Sequence, residues 1–162
     1  MAGPCATILL PAVLSPADRE AILREISAIA DSMEGADFWI DGHPFIAVFH
    51  GASEDAALQD AYRDEVAEYA GIQTPAGSPI RDFFGFCAMV NGDADHAELA
   101  RLCIRFAERS GGLINFGHSL DRYTADRAIL DHPGLDFCEG RHVFGPDLLQ
   151  LWLQHPDFRM VK

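Results

Sequence analysis

Short apolar runs alternate with amphipathic stretches along the 162-residue chain, and their spacing predicts an ordered series of strands and helices. Cys5 to Leu10 reads as a buried strand. Ser15-Pro16 then supplies an N-cap with proline at the first helical position, and Ile22, Ile26, Ile29 and Met33 carry a helix to about residue 33, where Gly35 ends it. Ala36 to Asp41 and Phe45 to His50 flank Asp41-Gly42, a strong hairpin signal. Ser53 caps a second helix to about Ala70, with Leu58, Tyr62, Val66 and Tyr69 inward, and Gly71 through Pro79 forms a loop.

From Ile80 the pattern restarts. Phe83 to Val90 reads as a strand, Asp93 caps a helix to about Arg109, and Gly111-Gly112 stops it before a strand over Leu113 to Phe116. At an offset of 77 residues, Ala17-Asp18 matches Ala94-Asp95, Arg24 matches Arg101 and Gly35 matches Gly112. This weak repeat is either a duplicated strand–helix–strand unit or the chance likeness of two amphipathic helices. Two such units predict an α+β domain spanning residues 1–162, with a mixed, largely antiparallel sheet, helices on one face and a ferredoxin-like arrangement. Beyond Leu120, Asp121, Asp126, Asp131 and Asp136 mark a surface segment broken by Pro133-Gly134. Phe137 to Phe144 reads as a returning strand, and Pro146 starts a final helix whose Leu148, Leu149, Leu151, Trp152 and Leu153 spread widely enough to dock in the core.

Charge changes the picture more than composition does. Twenty-five acids against twelve bases give a formal net charge of −13. Such a field disfavours nucleic acid and anionic membranes and accelerates encounter with a basic protein, although it also serves solubility alone. No stretch approaches membrane-spanning length, and the apolar run Ile8-Leu9-Leu10 has neither a basic leader nor continuity past Pro11, so the reading is of a cytoplasmic chain. Cys5, Cys87, Cys103 and Cys138 are widely spaced without a C-x-x-C pair, which predicts reduced thiols rather than a disulfide framework.

Candidate chemistry is sparse. No histidine pair has helical ligand spacing, and His43 with His50 and Asp131 with His132 lie in or beside loops, so no metal is expected. His96, in the first turn of its helix, reads as a packing or capping residue with a lowered pKa. His118, Ser119 and Asp121 are triad residue types, but neighbours on an extended chain point apart. Cys87 and Cys103 read as core. Neither G-x-G-x-x-G nor a P-loop occurs, so no cofactor is expected. The second helix stands out, carrying Glu54, Asp55, Asp60, Asp64, Glu65 and Glu68 against Arg63. Asp60, Asp64 and Glu68, at i, i+4 and i+8, line one stripe, which is either a solvated face or a docking strip for basic residues.

Two segments, His96-Ala97-Glu98-Leu99-Ala100 leading into Phe106 to Gly117, and the ending Trp152 to Lys162, resemble an uncharacterised group of small acidic bacterial proteins similar to toxin-neutralising immunity proteins. At two points where that pattern has an acid and a second glycine, this chain has Asn115 and His118. The resemblance implies a binding protein that occludes the active site of a basic toxin, a nuclease or another effector acting inside the cell. Asp55, Asp60, Asp64 and Glu68 would then meet the toxin's cationic cleft, with Trp39 as an aromatic anchor. The alternative expectation is a small hydrolase or transferase using His118 with Asp121 or Cys138, and a third is a structural module whose acidity serves solubility.

Overall fold

The structure is a computed structural model that describes residues 3–52 and 56–160. β1 (Cys5–Leu10) sends Ala6, Ile8 and Leu10 to one side and Leu9 to the other, and all four are buried. The middle of the sheet is therefore covered on both faces, as a run without polar alternation requires. α1 (Pro16–Ser27) follows, held by the reciprocal capping of Ser15 and Asp18. Next come β2 (Ser32–Glu34), β3 (Asp37–Ile40), β4 (His43–Val48) and α2 (Ala56–Glu68). β5 (Asp82–Ala88), α3 (Asp93–Ser110) and β6 (Leu113–Asn115) form the second strand–helix–strand unit. The chain closes with α4 (Arg127–Leu130), β7 (Leu135–Cys138), β8 (Arg141–Phe144) and α5 (Pro146–Leu153).

Among the described residues, eight strands make one sheet in the order β2-β3-β4-β5-β1-β6-β8-β7, with every neighbouring pair antiparallel. The protein is thus α+β, as expected. Its central strands β4-β5-β1-β6 follow the ferredoxin-like order, with α1 linking β1 towards β4 and α3 linking β5 to β6. Hairpins extend that centre on both sides: β2-β3 at one edge and β7-β8 at the other.

One core cluster lies under α1, α3 and α5. It joins Ile26, Leu99, Cys103, Phe106, Leu148 and Trp152 to Ile8, Phe38, Phe45, Phe84, Phe86 and Phe144 of the sheet. Ring edges meet ring faces there: Phe84 is perpendicular to both Phe86 and Phe106, the geometry aromatic quadrupoles favour. A second, smaller cluster on the opposite face sets Tyr69, Ile72 and Ile80 against Leu9, Phe83, Leu113 and Val143, with Tyr62 and Val66 of α2 beside them. α2 therefore covers the face away from the other helices, which corrects the expectation that all helices share one side. The reason is topological: α2 sits between β4 and β5, adjacent antiparallel strands whose connection can cross either face.

Several local expectations change. α1 ends at Ser27, and Met33 belongs to β2 opposite Phe38. Gly35, with φ of 64°, turns β2 into β3 instead of ending a helix. Asp41 and Gly42 both have positive φ, which is the two-residue hairpin turn expected there. Gly92 rather than Asp93 precedes α3, and the Asp95 carboxylate accepts the Gly92 N–H at 2.6 Å. The segment from Phe137 to Phe144 is split by a positive-φ Glu139-Gly140 turn into β7 and β8. α5 docks as expected, with Leu148, Leu149 and Trp152 fully buried.

The cysteine reading is corrected outright. Cys5 and Cys87 are directly opposed across β1 and β5, their Cα atoms 4.1 Å apart, and a disulfide joins them. Sequence spacing cannot register such a pair, because strand register alone brings together residues 82 positions apart. Cys103 is buried core, as expected. Among the described residues no helix is long and apolar enough to cross a membrane.

Candidate functional site

Side-chain alternation decides what the sheet presents. Phe38 and Ile40 of β3 and Phe45 and Ala47 of β4 point into the larger core. Their alternates, Trp39 with Pro44, Ile46 and Val48, therefore point to the face that carries α2. Register sets them side by side: Trp39 opposite Pro44, Ile46 opposite Cys87 with Cys5 beyond it, and Val48 opposite Gly85. Trp39, Pro44, Ile46 and Val48 are half-buried and belong to neither core cluster. Cys5 is exposed, and Met89, just past β5, is 50% exposed. Among the described residues, this part of the sheet face is thus an open apolar strip that no helix covers. Glu34 and Asp37 stand exposed at its outer edge, on the same side as Trp39.

The acidic stripe of α2 lies on the same side of the sheet. Asp60 and Asp64 are exposed, as is Glu68, while Asp55, like Ser53 and Glu54, lies outside the described residues. The three carboxylates are not alike. Asp60 accepts a 2.6 Å hydrogen bond from Arg63, and Glu68 lies 3.6 Å from Arg141, which also approaches Glu65 at 3.9 Å. Arg141 comes from β8, so its place beside the helix was invisible to helical spacing. It anchors the end of α2 together with a buried pair: Asn115 donates to the Tyr69 hydroxyl at 2.7 Å, and Arg141 donates to the same oxygen at 3.4 Å. Burial, aided by nearby Glu65, pushes the Tyr69 phenol up to about 12, so it stays protonated. Leu58, expected inward, is instead 57% exposed.

The residues of the enzymatic alternative each make their own contacts. The His118 carbonyl accepts from the His142 N–H, Ser119 is buried, and Asp121 is exposed. Cys138 donates its thiol to the Glu68 carbonyl, and burial, then Glu139 and Glu68, raise its pKa. Among the described residues no hydrogen bond joins His118 to Asp121 or Cys138.

Polar chemistry gathers elsewhere. His43 Nδ1 lies 2.7 Å from Asp95 Oδ1, clipping the start of β4 to the first turn of α3. His96 behaves as its sequence position suggests: its Nδ1 accepts from the Met160 N–H at 2.9 Å, and burial first, then Arg159, lowers its pKa. That bond, the Arg159 pairing with Asp93 and the Trp152 indole donating to the Arg159 carbonyl hold the C-terminal segment on α3 and α5. Among the described residues, no three His, Cys, Asp or Glu side chains gather closely enough to hold a metal ion.

Fold and surface together define an α+β protein with a ferredoxin-like centre, helices on one face, and the other face shared between an acidic helix and an open apolar strip. The chain belongs to the family of unknown function DUF6368, whose model matches residues 2–162. Comparison with curated proteins found no match, and neither did comparison with solved structures.

Proposed function

We propose that this protein is an immunity-type inhibitor that binds a basic protein toxin inside the cell and occludes its active site. The observation carrying the reading is the coincidence, on one side of the sheet, of the open strip Trp39-Pro44-Ile46-Val48 with the carboxylates of α2 and the Glu34-Asp37 edge. A desolvated aromatic and aliphatic centre slows dissociation, and charges at the rim set the rate and orientation of encounter. The net charge of −13 extends that attraction to a cationic partner. In the complex, the Asp60 and Asp64 carboxylates would stand where the toxin's anionic substrate otherwise binds, and Trp39 would fill an adjoining apolar pocket. The inhibitor performs no bond-making step of its own.

The experiment is capture from a lysate of the native host with the purified protein as bait, run beside Trp39→Ala/Ile46→Asp. Neither side chain belongs to a core cluster, so the double variant keeps its circular dichroism. A basic enzyme retained by the wild type, released by salt, inhibited on binding and lost by the variant is the expected result. Equal retention by both baits, or a captured enzyme whose activity is unaffected, would overturn the reading.

A further inference from the structure

Cys5 and Cys87 sit at the middle of the sheet on its open side, with Ile46 of β4 as the next residue in the same cross-strand row. Cys5 is exposed and Cys87 half-buried, so an incoming thiolate meets the Cys5 end of the bond first. The other two cysteines are held out of thiol chemistry. Cys103 is completely buried, which pushes its pKa up to about 12, and the Cys138 thiol is engaged by the Glu68 carbonyl and kept protonated by burial and nearby acids. Exchange needs an accessible sulfur and a thiolate, and neither free cysteine offers both.

The strands do not need the bond to stay paired. β1 and β5 are matched over six positions from Cys5–Cys87 to Leu10–Asp82, and Ala6, Ile8, Phe84 and Phe86 on the covered side are locked in the larger core. The bond can therefore open and close at the surface while the sheet beneath it remains folded.

We propose that Cys5–Cys87 is a reversible thiol–disulfide exchange site, reduced by a dithiol such as a reductase's vicinal cysteines or dithiothreitol. One thiolate of the dithiol attacks Cys5 Sγ. The Cys5–Cys87 bond breaks, and Cys87 departs as a thiolate that takes up a proton. The second thiol of the reductant, deprotonated, then attacks its own partner sulfur in the mixed disulfide and displaces the Cys5 thiolate, which is also protonated. Two electrons and two protons pass to the protein, and the reductant leaves as a disulfide; an oxidised dithiol reverses the sequence. In a reducing compartment the open form prevails, so the bond reports the compartment's redox poise. The inference stands whether or not the same face meets a basic partner.

The test is alkylation of the native protein by a maleimide across a series of reduced and oxidised dithiothreitol mixtures, read by peptide mass spectrometry alongside far-UV circular dichroism. Cys5 and Cys87 are expected to become reactive together in one two-electron transition, with Cys103 unlabelled and the dichroism unchanged, and to be protected again on reoxidation. Glutathione disulfide is expected to label Cys5 in Cys87→Ser about tenfold faster than Cys87 in Cys5→Ser, because the exposed Cys5 thiolate reaches a glutathione sulfur more readily and displaces the other glutathione as a thiolate. Opening only in denaturant, labelling of Cys103 at the rate of Cys5, or failure of the bond to form under oxidising conditions would overturn the proposal.

Discussion

Tyr62 of α2 donates a 2.5 Å hydrogen bond to Oδ1 of Asp82, the buried first residue of β5. The same carboxylate accepts the Phe83 N–H at 2.6 Å and, from the β1–α1 connection, the Leu14 N–H at 2.7 Å. One side chain thus ties together three parts of the chain, and burial, followed by the Asp82 bond, holds the Tyr62 phenol well above its usual pKa. Tyr62→Phe removes one donor and leaves Asp82 with two, at a cost of about 1–2 kcal/mol. Asp82→Ala strands three donors and costs about 3 kcal/mol or more. Urea denaturation separates the two outcomes; a Tyr62→Phe midpoint equal to wild type would show that α2 does not depend on this bond.

Gly111 and Gly112 act differently although they adjoin. Gly111 takes the left-handed conformation, φ 64°, that closes α3. Gly112 allows close approach: a Cβ there would lie 2.4 Å from the Leu9 carbonyl oxygen of β1. Because backbone in a central strand cannot yield, Gly112→Ala is expected to cost about 2–4 kcal/mol. Gly111→Asn, a residue tolerant of positive φ, is expected to cost about 1 kcal/mol or less. Thermal denaturation of the pair checks the order, and equal losses would refute the assignment.

Acid should loosen the C-terminal third before the rest. His96 accepts from Met160 N–H, and His142 Nδ1 accepts from Leu120 N–H at 2.7 Å, so both serve as neutral acceptors. Burial is the leading cause that lowers both pKa values, with Arg159 adding to it for His96 and Asp121 opposing it for His142. In the unfolded chain each titrates near about 6.5. Above that pH neither state binds the proton and stability is full. As pH falls below it the unfolded state takes up protons first, so stability declines by as much as about 1.4 kcal/mol per pH unit for each histidine until the folded values are passed. Denaturation between pH 7.5 and 5 is expected to show that decline, and His96→Gln is expected to flatten it. A curve of unchanged slope in the variant would remove His96 from the account.

Local signals in the sequence were legible where the physics is local. β1, the Asp41-Gly42 turn, the α3 stop and the inward Tyr62-Val66-Tyr69 face of α2 follow from apolar period and turn chemistry over a few residues. Met33 fitted a helical period as well as a strand, and only its pairing with Phe38 decided between them. The Glu139-Gly140 hairpin was missed because its first residue is not the usual Asn, Asp or Gly. Of the candidate surface, the acidic stripe was visible from helical spacing. The open strip was not: Pro44, Ile46 and Val48 interleave with Phe45 and Ala47 to give an unbroken apolar run after His43, which reads the same whether its second face is covered or bare. His43–Asp95 and Cys5–Cys87 depend on register between residues 52 and 82 positions apart, where no local pattern reaches.

The binding account rests on charge and on the open strip acting at different moments, and stopped-flow association with the captured basic partner at low salt addresses the first directly. Asp60→Lys/Asp64→Lys is the informative variant, since Glu68 also approaches Arg141 and its reversal would disturb the anchor of α2. The expected result is an association rate lowered about tenfold, with the difference fading as salt is raised. An association rate equal to wild type at low salt would place α2 outside the interface and contradict the account.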